Sequence, residues 1–148
     1  MNKTLAILIG VQGSGKSTFY KTFLADDYVR VNLDTLKTRY QEKLLVDDCL
    51  EKGVSFAVDN TNPTHYDRER YIKPARERGY RIIGYFMESK IKPCMERNAK
   101  REGKARVPDV AIVATSRKLE YPSYNEGFDE LYFVRNDGVT MTVEKWRK

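Results

Sequence analysis

The chain has 148 residues, of which 41% are hydrophobic and 32% are charged, and its formal net charge at pH 7 is +6. This length suits one domain with one core, and the hydrophobic fraction excludes wholesale disorder. The sequence shows no run that could span a bilayer and no signal-peptide pattern before its first apolar stretch, which predicts a single cytoplasmic domain over residues 1–148. The excess of positive charge favours an anionic partner.

The first predicted element is a strand, because Leu5 to Ile9 is a continuous apolar run. It leads into a nine-residue stretch, Gly10-Val-Gln-Gly-Ser-Gly-Lys-Ser-Thr18, that contains the P-loop pattern G-x-x-x-x-G-K-[ST]. Glycines let the backbone N–H groups of such a loop converge on phosphate oxygens, and the following helix directs its positive end at the same anion. The alternative is a glycine-rich strand-to-helix turn that binds no ligand.

The P-loop pattern assigns roles to individual residues. Lys16 is expected to reach the β- and γ-phosphates of a nucleotide, and the Ser17 hydroxyl is expected to bind Mg²⁺. The residues predicted to bind the nucleotide are Gly10, Gly13, Ser14, Gly15, Lys16, Ser17 and Thr18.

The rest of the chain alternates predicted helices with predicted strands. Helices are expected at 17–24, 35–52, 64–78, 91–103 and 109–119, with Asp109 capping the last of them. Strands are expected at 28–32, 54–58, 80–86 and 131–134, and a further strand is indicated at 139–143. The alternation implies an α/β fold with a mostly parallel sheet of about five strands flanked by helices. Ligands of such sheets bind beyond the carboxyl ends of the strands.

Asp34 follows the second predicted strand, so it is expected at the carboxyl edge of the sheet beside the P-loop. Phosphoryl transfer to an alcohol needs a carboxylate that accepts the hydroxyl proton, and this position suits that role. Asp34 also precedes Thr35 and Leu36 at the start of a predicted helix, where aspartate is a good N-cap. The sequence leaves both roles open.

Asp59 follows the third predicted strand, as an acid that holds Mg²⁺ does in many P-loop proteins. The stretch 59–63 is also dense in turn-forming residues, so Asp59 has a second interpretation as a turn residue. The two roles are compatible, and Ser17 and Asp59 are the predicted metal ligands.

A basic segment follows the fourth predicted strand, with seven basic and three acidic residues over 88–106. Every fourth residue from Ile91 to Ala99 is apolar, whereas Arg97 and Arg101 lie on the opposite helical face. We therefore predict a helical lid whose apolar face packs down and whose two arginines reach phosphate. The alternative is a solvated basic face on a surface helix.

Five segments in this order resemble the polynucleotide 5′-hydroxyl kinase family. They are Gly10–Thr18, Val31-Asn-Leu-Asp34, Asp59-Asn-Thr-Asn62, Arg97-Asn-Ala-Lys-Arg101 and Arg106-Val-Pro108. The similarity runs from about Leu5 to Val134, which is nearly the whole chain. It implies a P-loop kinase fold that transfers the γ-phosphate of ATP, with Mg²⁺, to the 5′-hydroxyl of DNA or RNA, as in nucleic acid repair.

The resemblance also implies site residues. It makes Asp34 the general base, places Arg97 and Arg101 on the donor phosphates, and matches Asp59 to the acid after the third strand. Lys16, Asp34, Arg97 and Arg101 are accordingly the predicted catalytic residues.

On the acceptor side the resemblance is less close. Lys37 and Asn62 are the predicted substrate-binding residues, but the phage member of this family places an arginine that holds the acceptor's 3′-phosphate at the position of Lys37. Leu33 replaces an arginine that often precedes the catalytic aspartate in the family. Lysine supplies charge without the bidentate fork of arginine.

Two other functions fit parts of the same pattern. A kinase for a small acceptor, such as a nucleoside or a sugar, would use the same donor site on the same fold. A non-catalytic nucleotide-binding module would bind ATP and leave the γ-phosphate in place, which Asp34, Arg97 and Arg101 argue against. Asn136 and Asp137 are candidates for the adenine pocket by fold analogy alone.

Overall fold

The structure, a computed structural model, describes residues 3–146. The strands of this part of the chain are β1 (Thr4–Ile9), β2 (Val29–Val31), β3 (Phe56–Val58), β4 (Arg81–Met87), β5 (Glu130–Asn136) and β6 (Met141–Lys145). They form one sheet in the order β2-β3-β1-β4-β5-β6. The pairings from β2 to β5 are parallel, and β6 joins the edge antiparallel to β5. The predicted α/β fold with a mostly parallel sheet is confirmed.

Helices lie between the strands. They are α1 (Lys16–Phe19), which continues as a π-helical turn over Tyr20–Leu24, α2 (Leu33–Leu36), α3 (Arg39–Lys52), α4 (His65–Glu77), α5 (Ile91–Ala99) and α6 (Asp109–Lys118). Short 3₁₀ turns cover Gly103–Ala105 and Tyr124–Glu126. Within residues 3–146, none of these helices is long and apolar enough to cross a membrane.

β1 is the centre of the core, because all of its side chains are buried. Leu5, Ile7 and Ile9 belong to a cluster with apolar residues of α3 and α4 on one face of the sheet. Ala6 and Leu8 alternate to the other face, where they join apolar residues of the stretch 19–24. Helices thus cover both faces of the central strand, as its continuous apolar sequence predicts.

The parallel pairing of β1 with β3 and β4 brings the carboxyl ends of these strands to one edge of the sheet. The segments that follow β1, β2 and β3 therefore meet at this edge. Here the P-loop lies beside residues 32–34 and 59–62. α5 and α6 pack onto the P-loop through a small cluster of Val11, Cys94 and Ile112.

Three predicted helices differ from those observed. The helix expected at 91–103 ends at Ala99, so Arg101 lies beyond it. The helix expected at 35–52 breaks at Lys37, whose backbone φ is +75°, and α3 begins only after Thr38 accepts a hydrogen bond from the Gln41 N–H. The last helix has Pro108 as its N-cap, and Asp109 is its first residue, so the predicted cap at Asp109 is wrong. A positive φ at a lysine has no recognisable sequence signal, because most non-glycine residues avoid this region.

Candidate active site

The loop from Gly10 to Ser17 curves tightly over the carboxyl end of β1. Gly13 has φ +82° and Gly15 has φ +100°, a region in which only glycine is relaxed. A Cβ added to Gly13 would lie 2.3 Å from the Cys94 carbonyl oxygen, and one on Gly15 would lie 2.6 Å from Asn136 Nδ2. The two glycines thus allow α5 and the end of β5 to close on the loop from opposite sides.

Lys16 is folded back over this loop. Its Nζ donates hydrogen bonds to the carbonyl oxygens of Gly10, at 2.9 Å, and Val11, at 3.0 Å. Burial lowers the pKa of Lys16 from 10.5 to about 8; the charge of Asp59 opposes this shift and that of Arg101 adds to it. The amine is therefore still protonated at neutral pH, and it is a desolvated cation that a bound phosphate would stabilise.

The loop also contains polar atoms that no partner satisfies. Among the described residues, Gln12 Oε1 and Ser14 Oγ are buried side-chain atoms without a hydrogen bond. The first N–H groups of α1 have no intrahelical partner and point out of its N-terminus. A nucleotide fits this arrangement, because its phosphate oxygens would accept from the N–H groups and from Lys16 Nζ.

Asp59 lies at the end of β3 and is 3% exposed. Arg30, from β2, donates to Asp59 Oδ2 through Nε at 2.9 Å and through Nη2 at 2.6 Å. The same Nη2 donates to Ser17 Oγ at 3.0 Å. Burial raises the pKa of Asp59 above its ordinary value, and the hydrogen bonds and charge of Arg30, with the charge of Lys16, oppose that rise.

The predicted metal ligands, Ser17 and Asp59, are thus brought together. A hydroxyl and a carboxylate are the oxygen ligands that Mg²⁺ prefers, so the donor chemistry fits this ion. Within residues 3–146 no group of three or more His, Cys, Asp or Glu side chains could hold a metal. Ser17 and Asp59 would hold Mg²⁺ together with water and nucleotide phosphate oxygens, which is usual for this ion.

Asp34 lies in the first turn of α2, and the N-cap of this helix is Asn32, whose side chain accepts from the Thr35 N–H at 3.0 Å. The alternative interpretation of Asp34 as an N-cap is therefore wrong. Its carboxylate is exposed and has no hydrogen bond or ion pair among the described residues. Its charge acts to raise the pKa of both Lys16 and Asp59, so it lies within electrostatic reach of both groups.

The turn at residues 32–37 is held by two asparagines. Asn60 Oδ1 accepts from the Leu33 N–H at 2.9 Å, and Asn32 Nδ2 donates to the Asp59 carbonyl oxygen at 2.7 Å. Asn60 is held in turn by the buried carboxylate of Glu42, to which its Nδ2 donates at 2.8 Å. The Asp34 carboxylate is free, whereas the backbone that carries it is fixed.

Sequence reasoning missed this support. Asn32 and Asn60 each follow a strand, and an asparagine at such a position is a signal for a turn or cap. Glu42 and Arg30 have no such signal, because a charged side chain in a helix or an edge strand is usually solvated.

Both predicted lid arginines are on the P-loop side. Arg97 Nε donates to the Gly13 carbonyl oxygen at 2.7 Å. Arg101 donates to the Ala105 carbonyl oxygen at 3.2 Å, and its charge contributes to the lowered pKa of Lys16. The predicted apolar face of the lid is right for Met95, which packs against the cluster of Val11 and Cys94, and wrong for Ile91 and Ala99, which are exposed. The fully buried residues of α5 are Cys94 and Asn98. Asn98 is buried because its side chain bonds both backbone groups of Val107.

The remaining predicted residues differ in their exposure and in the groups that they contact. Lys37 and Thr18 are exposed near the P-loop edge. Asn62 is 4% exposed and donates to the Leu8 carbonyl oxygen at 2.8 Å, so here it holds the scaffold and does not face solvent. Asn136 Nδ2 donates to the Ser14 carbonyl oxygen at 3.1 Å, whereas Asp137 accepts backbone N–H groups within its own turn.

Comparison with known proteins places this geometry in a family. Residues 5–122 match the family model described as AAA domain, and the chain therefore belongs to that family. A bifunctional polynucleotide phosphatase/kinase from Acanthamoeba polyphaga mimivirus is 31% identical over 155 aligned residues, which cover 99% of this chain and 37% of the relative. The chain spans about a third of the length of the first curated relatives that it matches.

Solved structures agree with this assignment. A chain of the Pnkp1/Rnl/Hen1 RNA repair complex is 26% identical, with a TM-score of 0.69 over 86% of this chain and 46% of that chain. A gluconokinase from Sinorhizobium meliloti 1021 is 17% identical, with a TM-score of 0.62 over 90% of this chain and 83% of that chain, and shows the fold alone. The P-loop kinase fold and the resemblance to polynucleotide kinases are confirmed.

Proposed function

We propose that this member of the AAA domain family is a polynucleotide 5′-hydroxyl kinase, with residues 1–148 forming one P-loop kinase domain. The main observation in support of phosphoryl transfer is the unpaired carboxylate of Asp34, which a hydrogen-bonded turn holds within electrostatic reach of Lys16. An exposed, unpaired carboxylate on the P-loop side of the sheet is available to accept the proton of an acceptor hydroxyl, which supports Asp34 as the general base. The polynucleotide acceptor rests on the names of the relatives at 31% and 26% identity.

The donor phosphates are held by the P-loop. Its backbone N–H groups and Lys16 Nζ cradle the β- and γ-phosphates of ATP, and Lys16 exchanges its carbonyl partners for phosphate oxygens. Arg97, from α5, and Arg101, just after this helix, bind the same phosphates and neutralise charge that develops on the transferring group.

Asp34 acts on the acceptor. Its carboxylate accepts the proton of the 5′-hydroxyl as the new bond forms between the 5′-oxygen and the γ-phosphorus. The bond from the γ-phosphorus to the β–γ bridging oxygen breaks in line, and ADP leaves. Ser17 and Asp59 would hold Mg²⁺, which, when bound, supplies further neutralisation of the phosphate charge.

The acceptor strand approaches from the exposed side of the 32–37 turn. Lys37 is exposed there, at the end of α2, and its charge attracts the phosphate that follows the first nucleoside. Asn62 contributes by holding the loop after β3 under this turn. We assign the activity to nucleic acid repair in the cytoplasm.

Transfer of labelled γ-phosphate from ATP with Mg²⁺ to a short oligonucleotide tests this function. An oligonucleotide that ends in a 5′-hydroxyl should take up label, and the same oligonucleotide with a 5′-phosphate should not. Parallel DNA and RNA versions define the acceptor. Labelling of a free nucleoside or of gluconate, with none of the oligonucleotide, would favour the small-acceptor kinase. Bound ATP without transfer to any acceptor would favour the non-catalytic module.

A further inference from the structure

Arg30 takes part in the candidate site from a strand that the P-loop motif does not include. It lies at the middle of β2, the edge strand, and its neighbour Val31 is fully buried on the opposite side. The guanidinium faces the P-loop and packs 5.6 Å from the centre of the Tyr20 ring. Its side chain is 29% exposed, so one side of the group remains open to solvent.

One nitrogen of Arg30 reaches both predicted metal ligands. Nη2 lies 2.6 Å from Asp59 Oδ2 and 3.0 Å from Ser17 Oγ. A magnesium ion binds oxygen ligands at about 2.0–2.1 Å, so an ion shared by these two oxygens would occupy the space of Nη2. A guanidinium and a divalent cation also repel each other at such a distance. The two cations therefore exclude one another at this pair of oxygens.

We propose that Arg30 and the divalent metal compete for the Ser17–Asp59 oxygen pair, and that metal binding moves the guanidinium off both oxygens. This inference rests on the proposed function only for the assignment of Ser17 and Asp59 as metal ligands. Arg30 is the counterion of Asp59 in the absence of metal, and it leaves Asp59 when the divalent metal binds.

The surroundings of Arg30 support an exchange. A buried carboxylate without a cation is costly, so Asp59 needs one partner at all times. Arg30 supplies a single positive charge on a flexible side chain, and its partly exposed position gives it a path to solvent past the Tyr20 ring. Nucleotide phosphates would favour the divalent ion further, because they add oxygen ligands that the arginine position alone lacks.

The competition lowers metal affinity, which can be measured without catalysis. We would titrate Mn²⁺ into the protein with the non-hydrolysable analogue AMP-PNP and follow free Mn²⁺ by electron paramagnetic resonance. Arg30→Gln should bind Mn²⁺ at least tenfold more tightly than the unaltered protein. Arg39→Gln is the matched control, because Arg39 also pairs with a buried carboxylate, Glu42, but lies outside this site. Its Mn²⁺ affinity should be unchanged.

Unchanged or weaker Mn²⁺ affinity in Arg30→Gln would overturn the proposal, as would the absence of a nucleotide-dependent Mn²⁺ site. The unaltered protein offers a second measurement that needs no stable glutamine variant. The Arg30 Nε–H resonance, identified by its loss in Arg30→Lys, should move on addition of Mg²⁺ with AMP-PNP. A resonance that keeps its position at saturating Mg²⁺ would contradict displacement. Neither measurement depends on phosphate transfer, so a failure to phosphorylate oligonucleotides would leave this result intact.

Discussion

The donor side of the site, residues 10–17, and the acceptor side, the 32–37 turn, are built in different ways. The donor side is one continuous loop whose shape follows from its own glycines, with φ +82° at Gly13 and +100° at Gly15. The acceptor side is positioned by side chains from elsewhere, since Asn60 holds the Leu33 N–H and Glu42 holds Asn60. The conformation of the phosphate-binding loop is therefore set mainly by its own residues, with Arg97 and Asn136 bonding two of its carbonyl groups, whereas the position of the base depends on long-range hydrogen bonds.

The largest effect should come from removing the cation of the donor side. Lys16→Ala should lower phosphate transfer by about 10³–10⁵-fold, because the transferring phosphoryl group loses its buried positive partner. Steady-state transfer rates would measure this, with Lys21→Ala, an exposed lysine in the turn after α1, as the control. A Lys16→Ala variant that transfers phosphate at a comparable rate would contradict the P-loop assignment.

Removing the proposed base should lower the rate of phosphate transfer without changing ATP binding. Asp34→Asn should lower kcat by about 10³-fold, within the range of general base catalysis, and leave ATP affinity unchanged. Rapid-quench kinetics and ATP binding by calorimetry would measure the two quantities. Asp26→Asn, at another exposed carboxylate, should change neither. Near-normal turnover in Asp34→Asn would leave this residue without a catalytic role.

A smaller effect should follow from loosening the acceptor side. Asn60→Ala removes the acceptor of the Leu33 N–H and a partner of buried Glu42. We expect kcat to fall about tenfold and the free energy of unfolding to fall by about 1–3 kcal/mol. ATP affinity should stay the same, since the hydrogen bonds of the Asn60 side chain go to Leu33, Glu42 and Tyr71 and not to residues 10–17. Urea unfolding and initial rates would measure these changes. Lys43→Ala, which breaks an exposed pair with Asp47, is the control. Loss of ATP affinity equal to the loss of kcat would contradict separate construction of the two sides.

The pH dependence of stability should sharpen the description of Lys16. Burial lowers its pKa to about 8 in the folded chain, whereas the free side chain titrates at 10.5. Between these values the unfolded chain binds more protons, so the cost of burying a charged amine is relieved as pH rises from about 8 to 10.5.

The measurement compares the protein with Lys16→Met. The stability of the unaltered protein, relative to Lys16→Met, should rise by roughly 3 kcal/mol across that pH range. Urea unfolding of both proteins at several pH values would follow the difference. Parallel pH profiles would show that Lys16 titrates normally in the folded state.

The sequence was sufficient for the donor side because the motif, its strand and its helix are contiguous. It was sufficient for the sheet because β1 is apolar throughout and strands alternate with helices. It placed Asp34 correctly at the edge of the sheet but left its role open, since the cap that decides the question is Asn32. The break at Lys37 has no sequence signal, because a positive φ is uncommon at lysine.

Arg30 and α5 show which features the sequence alone does not predict. Strand alternation places Arg30 opposite Val31, but only the folded chain brings Ser17 and Asp59 to the same guanidinium. In α5 the apolar residues Ile91, Met95 and Ala99, spaced four positions apart, predict the buried face. Asn98 lies off this face, yet it is buried because its side chain bonds the backbone of Val107. Polar burial that depends on a distant backbone group leaves no periodic pattern in the sequence.

The central claim, a 5′-hydroxyl polynucleotide acceptor, is tested most directly by competition in one reaction. A 5′-hydroxyl oligonucleotide, the matching nucleoside 3′-phosphate, the free nucleoside and gluconate would be offered together with labelled ATP and Mg²⁺, and the products would be separated. The oligonucleotide should take most of the label, and Asp34→Asn should remove it. Label that goes preferentially to the nucleoside or to gluconate would contradict the account and identify a small-acceptor kinase.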